Sequence, residues 1–192
     1  MADTPRDALA EHLELAAGLT PLLPLAAQVG SVLIATYQRG GRLFACGNGG
    51  SAADAQHLVA ELVGRYSRDR RPLAASALSV DPSVVTCIGN DYSFDDVFAR
   101  QVQALVGSGD VVVGFTTSGR SANVVRALAA ARQQSATTVV FTGGDGGAAA
   151  EHADHALVVP SAKTARIQEM HLLLLHLVIE QVDRWVAQDG SA

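Results

Sequence analysis

The chain has 192 residues, of which 48% are hydrophobic and 17% are charged, and its net charge is −5. A disordered chain would be more charged and less hydrophobic, so the composition indicates a globular protein of about one domain. Direct nucleic-acid binding is not expected, because the net charge is negative and aromatic residues make up only 5% of the chain.

The two cysteines, Cys46 and Cys87, are too few for a disulfide framework, and each lies in an apolar stretch. We therefore expect both to be reduced thiols in the core. Residues 1–9 lack the basic-then-apolar order of a signal peptide, and no apolar run reaches the length of a membrane span. The sequence predicts a cytoplasmic protein that binds no membrane.

The N-terminal region, residues 7–39, is rich in Ala and Leu and has apolar residues at helical spacing. Gly18 and Pro21 interrupt this pattern, and both residue types break helices. We predict two helices that form a hairpin and cover part of the core.

Beyond residue 42, short apolar segments alternate with helical patterns. The predicted strands cover residues 43–46, 73–78, 110–115, 137–142 and 156–159. The predicted helices cover residues 52–65, 94–106, 122–134 and 165–187, with a short one after residue 147. The segment 84–88 fits either a strand or a helix, and residues 90–91 are predicted to form a loop.

The predicted strands are apolar throughout rather than alternating, which is typical of a parallel sheet buried on both faces. We predict a single α/β domain over residues 1–192. Its core, residues 42–188, is expected to be a three-layer α-β-α sandwich with about five parallel strands, and residues 7–39 form the helical hairpin. Ligands of such sheets bind at the C-terminal ends of the strands.

A hydroxyl-rich loop follows the predicted strand at 110–115 and leads into a helix. Four of its six residues carry hydroxyls, namely Thr116, Thr117, Ser118 and Ser121. One hydroxyl would be an ordinary helix N-cap, but four favour an anion site at the positive end of the helix dipole. The loop lacks the Lys and the glycine spacing of nucleotide-binding loops, which favours a small sugar phosphate.

A second loop, residues 47–51, follows the first predicted strand and reads GNGGS. Its glycines let the backbone approach a ligand closely. Asn48 and Ser51 can hydrogen-bond sugar hydroxyls or cap the next helix. Two such loops after two strands of one sheet indicate a binding site more specifically than either loop alone.

Histidines are among the candidate metal-binding and catalytic residues. His57 and Glu61 are four residues apart on a predicted helix, so they either bind one metal ion or form an ordinary surface pair. His176 lies among leucines, where a buried imidazole needs a partner. It either faces a polar or metal site or is a core histidine bonded to a carbonyl.

The other histidines carry weaker signals. His171 is less distinctive because it lies near the polar start of its helix. His12, His152 and His155 stand next to charged or loop residues, and we expect them to face solvent.

Five ordered segments carry a resemblance: CGNGGSAADAQHLVAELVGRY, GNDYSFDDVFARQ, GDVVVGFTTSGRSANVVRA, FTGGDGG and RIQEMHLLLLH. Together they resemble the sugar isomerase (SIS) fold and, within it, the phosphoheptose isomerases, over nearly the whole chain. The resemblance implies a flavodoxin-like SIS domain with aldose-ketose isomerase activity. It implies conversion of sedoheptulose 7-phosphate to D-glycero-D-manno-heptose 7-phosphate, the first step of nucleotide-activated heptose biosynthesis, which supplies lipopolysaccharide precursors.

The resemblance also implies a cofactor, a substrate site and an assembly. It implies one Zn²⁺ per subunit in a homotetramer whose sites lie near subunit boundaries. The implied zinc ligands are His57, Glu61, Gln168 and His176. The implied substrate-binding residues are Asn48, Gly49, Gly50, Ser51, Asn90, Asp91, Thr116, Thr117, Ser118, Ser121 and Gln168.

Two positions depart from the family pattern: Arg120 stands where Asn is usual, and Ala165 where some members have an acid. The alternative function is a non-catalytic sugar-phosphate-binding adaptor or regulator. The replication-initiator-associating protein is such a relative, and it looks like a member that lacks the catalytic Glu and the second His. This chain keeps Glu61 and His176, which favours an enzyme.

We expect Glu61 and His176 to act as general base and acid, in an order that the sequence leaves open. Gln168 and His176 are eight residues apart, about 12 Å along an ideal helix. They bind the same metal only if their side chains lean together, if the helix begins after Gln168, or if the ligands come from different subunits. The apolar run at 172–179 suggests a helix buried in an oligomer.

Overall fold

The computed structural model describes residues 4–188. The helices are α1 (Pro5–Ala17), α2 (Leu23–Gln38), α3 (Gly50–Val63), α4 (Pro82–Asp91), α5 (Ala99–Leu105), α6 (Ala122–Gln133), α7 (Gly147–Glu151) and α8 (Thr164–Gln188). The strands are β1 (Leu43–Gly47), β2 (Ala75–Ala77), β3 (Val111–Thr116), β4 (Thr137–Gly143) and β5 (His155–Val159). Two short 3₁₀ helices, Thr20–Leu22 and Phe94–Asp96, precede α2 and α5.

The five strands form one parallel sheet in the order β2-β1-β3-β4-β5. β1 and β3 are hydrogen-bonded neighbours, in register from Leu43 opposite Val111 to Gly47 opposite Phe115. After β1 the chain crosses to one face of the sheet, and after β3 it crosses to the other. A crevice therefore opens between the ends of β1 and β3, where sheets of this order bind ligands.

Both faces of the sheet are covered, because alternate strand residues point in opposite directions. Leu43 and Ala45 of β1 join a core cluster with α2, α3 and α8. Phe44 and Cys46 join a second cluster with α4, α5, α6 and α7. The predicted three-layer α-β-α sandwich is confirmed.

The predicted break in the N-terminal region is confirmed at the 3₁₀ helix that contains Pro21. α2 packs into the core, whereas α1 buries none of its side chains. Leu9 and Leu13 of α1 are both more than half exposed. The hairpin therefore covers the core mainly through α2, while Leu15 and Ala16 of α1 pack on the edge of the core and His12 contacts Glu169 of α8.

The region Pro5–Gln38 is long and apolar enough for a membrane-crossing helix by length and composition, although no membrane span is predicted from its apolar runs. The 3₁₀ helix divides this region, and α2 has only 16 residues, fewer than the ~20 that a span requires. The buried face of α2 packs on the sheet and on α8. The apolar character of this region is thus explained by core packing.

The ambiguous segment at 84–88 lies in a helix, α4. Asp81 caps this helix by accepting hydrogen bonds from two backbone N–H groups of its first turn, at 2.9 and 3.1 Å. Pro82 occupies the first helical position, which suits its fixed φ. Because α4 continues to residue 91, Asn90 and Asp91 end a helix, and the predicted loop at these residues is wrong.

The two cysteines differ in exposure. Cys46 lies on β1, and burial raises the pKa of its thiol to about 12. Cys87 is exposed on α4, so the prediction of a core thiol is wrong for this residue. The apolar stretch around Cys87 forms an amphipathic helix, and Cys87 lies on its outer face while Ile88 is buried.

The long helix α8 buries its apolar run within its own chain. The buried members of this run are Leu174, Leu175, Val178 and Ile179, which join the core cluster of α2, α3 and the sheet. These four residues are therefore explained by the core of this chain, and burial of the rest of the run at 172–179 in an oligomer stays a prediction.

An ion pair joins the starts of the two central strands. The Asp110 carboxylate accepts hydrogen bonds from the backbone and guanidinium N–H groups of Arg42, both at 2.8 Å, and from the backbone of Gly107 at 2.9 Å. Burial alone would raise the pKa of Asp110, but the hydrogen bonds from Arg42 and Gly107 outweigh burial and lower the pKa below its usual value. Asp110 thus stabilises the fold in its charged form.

We predict that Asp110→Asn lowers the free energy of unfolding by about 2 kcal/mol at neutral pH, because an amide forms no ion pair and accepts fewer of these hydrogen bonds. The folded state lowers this pKa, so the contribution is complete above the unfolded value of about 4 and is lost as pH falls through the folded value. Urea unfolding at neutral pH and at about pH 3 measures the effect.

The difference in free energy of unfolding between wild type and Asp110→Asn should be smaller at the lower pH. Asp69→Asn, at an exposed carboxylate, is the control and should change stability little at either pH. An equal difference at both pH values would contradict the role of the charged form.

Candidate active site

The helices α3 and α8 lie side by side on one face of the sheet and run in the same direction. The backbone of Gly50, at the start of α3, lies against the side chain of Gln168 near the start of α8. Further along both helices, His57 meets His176. Positions along α3 therefore face matching positions along α8.

His57, Glu61 and His176 meet where these helices pack. The Nε2 atom of His57 lies 2.9 Å from Oε1 of Glu61 and 3.4 Å from Nε2 of His176. The two imidazole rings meet edge to face, with centroids 5.1 Å apart. One ligand atom from each side chain lies within 4.8 Å of the others, so the structure brings together three of the four residues expected to bind a metal.

This donor set fits a metal ion such as Zn²⁺. Two imidazoles and one carboxylate are a known catalytic zinc set, which leaves a position for water or substrate. Nε2 of His57 faces both Glu61 and His176, yet it carries at most one hydrogen and can donate to only one of them. A bound cation would accept a lone pair from all three side chains.

The fourth expected metal ligand, Gln168, packs against the start of α3. Its side chain lies against Gly50, so closely that a Cβ at residue 50 would be 2.5 Å from its Nε2. α8 begins at Thr164, so Gln168 and His176 share one helix, which excludes a helix that begins after Gln168. The role of Gln168 as a metal ligand stays a prediction.

A buried arginine holds the end of α3 against α8. Arg70 donates hydrogen bonds to the carbonyl oxygens of Leu62, at 2.7 Å, and of Gly64 and Glu61. It also pairs with Asp183 of α8 at 3.4 Å, and both side chains are almost fully buried. Because the last carbonyls of a helix need donors from outside it, Arg70 fixes the turn that carries Glu61.

Two residues beside this cluster were not predicted. The ring of Tyr66 packs on His176 with centroids 5.6 Å apart. Asp54 lies one turn before His57, and its Oδ2 is buried without a hydrogen bond in the described part of the chain. Burial raises the pKa of Asp54 to about 6, against the opposing attraction of His57. Asp54 lies three residues before His57 on the same helix, and this spacing could have indicated that it belongs to the site. No comparable spacing indicated Tyr66.

The core histidine of α8 is His171. It is fully buried, and its Nε2 donates to the carbonyl of Thr142 at 3.2 Å. Burial lowers its pKa to about 4, so it is neutral at physiological pH. The structure thus gives His171 the carbonyl-bonded role that the sequence left open for His176.

The three histidines expected to face solvent are each partly exposed, and His12 also has a partner. Its Nδ1 lies 2.7 Å from Oε2 of Glu169, which joins α1 to α8. His152 and His155 are only partly exposed. The contact of His12 depends on how α1 lies on α8, which local sequence does not specify.

The first predicted loop lies at the C-terminal end of β1 and is joined to the start of α6. The side-chain amides of Asn48 and Asn123 exchange two hydrogen bonds, at 2.8 and 2.9 Å. Gly49 has a φ of +55°, which favours glycine, and Ser51 is buried at the start of α3. Asn48 therefore bridges the crevice between β1 and β3, and sugar binding by this loop stays a prediction.

The hydroxyl-rich loop follows β3 at the same edge of the sheet. A pocket of about 200 Å³ lies between this loop, the loop after β4 and the first turn of α8. Thr117 and Ser118 line the pocket, whereas the hydroxyls of Thr116 and Ser121 lie 3.1 Å from each other. The loop combines hydroxyls, a pocket and the N-terminus of α6, which suits an anion.

Two of the predicted substrate-binding residues, Asn90 and Asp91, lie apart from the two predicted loops. Asn90 and Asp91 are exposed at the end of α4, where Asn90 donates to Asp91 at 2.7 Å and the Cys87 sulfur lies 3.6 Å from Asp91. These contacts lie within α4 itself. Substrate binding by Asn90 and Asp91 stays a prediction.

Known proteins share this sequence and fold. Residues 25–143 match the family model of the SIS domain. The chain is 49% identical over 166 residues to a phosphoheptose isomerase of Roseiflexus sp., across 86% of this chain and 84% of the relative. It is 46% identical over 173 residues to phosphoheptose isomerase 1 of Campylobacter jejuni, across 90% of this chain and 93% of the relative.

A solved structure shows the same agreement in three dimensions. The phosphoheptose isomerase of Neisseria gonorrhoeae matches this chain with a TM-score of 0.85 and 42% identity, across 94% of this chain and 100% of that one. Sequence, fold and length therefore agree with the same group of proteins. This chain belongs to the phosphoheptose isomerase family of SIS-domain proteins.

Proposed function

We propose that this protein is an aldose-ketose isomerase that converts sedoheptulose 7-phosphate to D-glycero-D-manno-heptose 7-phosphate. The observation that carries the proposal is the convergence of His57, Glu61 and His176, which supplies an acid, a base and a metal-binding set. The same helix, α8, also lines the hydroxyl-rich pocket. Relatives named phosphoheptose isomerase support the choice of substrate.

Isomerisation moves a proton between C1 and C2 through a cis-enediol. We assign the proton transfers to Glu61 and His176 as base and acid, since they are the carboxylate and the second imidazole of the cluster. A positioned group of this kind contributes about 10²- to 10⁴-fold in rate. Arg70 holds the backbone turn that carries Glu61, and the ring of Tyr66 packs on His176.

We propose Zn²⁺, one per subunit, as the resident ion. His57, Glu61 and His176 would hold it, with Gln168 as the expected fourth ligand. When bound, the ion polarises the carbonyl oxygen of the substrate.

We place the phosphate group of the substrate in the pocket of the loop after β3. Hydroxyls of the lining residues and the N-terminus of α8 support this placement. Binding energy from this remote group helps to orient the reacting carbons. The sugar hydroxyls are assigned to Asn48, Gly49, Gly50, Ser51, Asn90, Asp91 and Gln168.

We further propose that residues 1–192 form one SIS domain in a cytoplasmic homotetramer with sites near subunit boundaries, acting at the first step of nucleotide-activated heptose biosynthesis. Leu9, Leu13 and Leu23 are 58%, 61% and 44% exposed, and their apolar surface supports an assembly through the N-terminal helices. Free thiols at Cys46 and Cys87 support a reducing compartment.

Incubation with sedoheptulose 7-phosphate, with and without a chelator, tests the proposed activity. Conversion to the aldose that the chelator abolishes and added Zn²⁺ restores is the expected result. Failure of the metal-loaded protein to convert the sugar, together with retained sugar-phosphate binding, would favour the non-catalytic adaptor.

Glu61→Gln should lower kcat by at least ~10²-fold, because the amide preserves size but is neither a base nor a charged ligand. Steady-state turnover and a thermal melt measure activity and folding in the same preparation. Glu151→Gln, at an exposed carboxylate on α7, is the matched control and should retain full turnover. Activity of Glu61→Gln within about tenfold of wild type would remove Glu61 from the mechanism.

Replacing Ser118 and Ser121 together by Ala should raise KM for the phosphorylated sugar about tenfold or more, because hydrogen bonds to a charged group are lost. KM is compared with that of Ser31→Ala, an exposed serine on α2. An unchanged KM with a lowered melting temperature would show that the two hydroxyls only stabilise the loop, through the contacts of Ser118 with Arg120 and of Ser121 with Thr116.

His176→Asn should abolish isomerisation and weaken metal retention. Sugar-phosphate binding should persist, because the proposed phosphate pocket lies at the start of α8, beside Thr164 and Ile167, and not at His176. Turnover, metal analysis of the purified variant and a ligand-induced melting shift are measured together. His152→Asn serves as the control. A variant that turns over and keeps its full metal content would leave His176 without a role in the site.

A further inference from the structure

An exposed ion pair bridges the rim of the phosphate pocket. Nη2 of Arg120, in the loop after β3, lies 2.6 Å from Oδ2 of Asp145, in the loop after β4. The two side chains are 62% and 67% exposed. Nη1 of Arg120 donates to the carbonyl of Ser118 at 3.0 Å, so the guanidinium lies over the loop that lines the pocket.

The backbone beneath this pair is tightly packed. A Cβ at Gly119 would lie 1.9 Å from the carbonyl oxygen of Gly146, and the N–H of Ala149 donates to the carbonyl of Gly119 at 2.9 Å. The two loops are therefore held together by direct backbone contact. The side chains of Arg120 and Asp145, which lie in solvent above that contact, are free to change partners.

Arg120 is the one charged side chain among the described residues that line this pocket. The other lining residues carry hydroxyls, are glycines or are apolar. Lys163 is close in sequence, but its ammonium group pairs with Glu11 beside an adjoining cavity along α1, which shares Ser161 and Ala162 with this pocket. A phosphate dianion in the pocket would therefore meet hydroxyls, the N-terminus of α8 and a single guanidinium.

We propose that Arg120 selects for the phosphate dianion and that Asp145 is its competing anion. Asp145 holds the guanidinium while the pocket is empty, and an entering phosphate takes the place of the carboxylate. The inference rests on the phosphate site of the proposed function and adds the residue that recognises the charge.

The exchange is physically favourable for two reasons. Exposed ion pairs contribute little to stability, so release of Asp145 costs little. The planar guanidinium can then donate two parallel hydrogen bonds to phosphate oxygens, which an asparagine at this position cannot match. An uncharged sugar has no group that competes with a carboxylate for Arg120, so this residue discriminates by charge.

Calorimetric titration with inorganic phosphate tests the inference without turnover. Arg120→Asn should weaken phosphate binding about tenfold, and Arg120→Lys, which keeps the charge without the fork, should weaken it less. Asp145→Asn should tighten binding about threefold. Arg126→Asn, at a half-exposed arginine that pairs with Asp96 away from the pocket, is the matched control and should bind phosphate like wild type.

The double variant, Arg120→Asn with Asp145→Asn, distinguishes an exchange of partners on Arg120 from simple repulsion of phosphate by Asp145. If Asp145 acts by holding Arg120, the gain from Asp145→Asn disappears when residue 120 is already Asn. If Asp145 only repels the phosphate, the same gain appears in both backgrounds, and that result would overturn the proposed exchange.

Turnover supplies an independent readout. Arg120→Asn should raise KM for sedoheptulose 7-phosphate while kcat stays within about twofold, since Arg120 binds a group remote from the reacting carbons. If wild type binds no inorganic phosphate, the phosphate site of the proposed function fails together with this inference. If wild type binds phosphate and Arg120→Asn binds it equally well, this inference alone fails.

Discussion

The candidate site depends on the parallel packing of α3 and α8. In this arrangement His57 meets His176 while Gly50 meets Gln168. The start of α3 needs a glycine, because a Cβ at residue 50 would collide with Gln168. At its other end, the buried Arg70 binds both helices. A slip of one turn, about 5.4 Å, along either helix would separate His57 from His176 and dismantle the donor set.

The order of the strands in the sheet brings the two predicted loops together. Because β1 and β3 are neighbours whose chains leave toward opposite faces, the two predicted loops lie at one crevice, joined by Asn48 and Asn123. α8 then links the parts of the site in order. Thr164 lines the pocket beside the loop after β3, Gln168 reaches the first loop and His176 joins the cluster with His57 and Glu61.

Local pattern was sufficient to predict the parallel sheet, both loops and the shared face of His57 and Glu61. It was insufficient along α8, because that helix is apolar on most sides and its neighbours decide which face each histidine takes. His171 enters the core while His176 turns toward α3. Arg70 stands in a basic stretch, and its burial follows from unpaired carbonyls that exist only once α3 has formed.

The protein separates two electrostatic tasks. In the proposed function, an anionic phosphate meets hydroxyls, the N-terminus of α8 and one exposed guanidinium, whose charge Asp145 balances in the structure. At the other end, Glu61 is the single carboxylate among the three clustered donors. In the proposed metal site, one carboxylate would leave a divalent cation with a net charge of about +1, so the ion would keep its ability to polarise an oxygen ligand. A second carboxylate would remove that charge, so two neutral imidazoles suit the proposed role better.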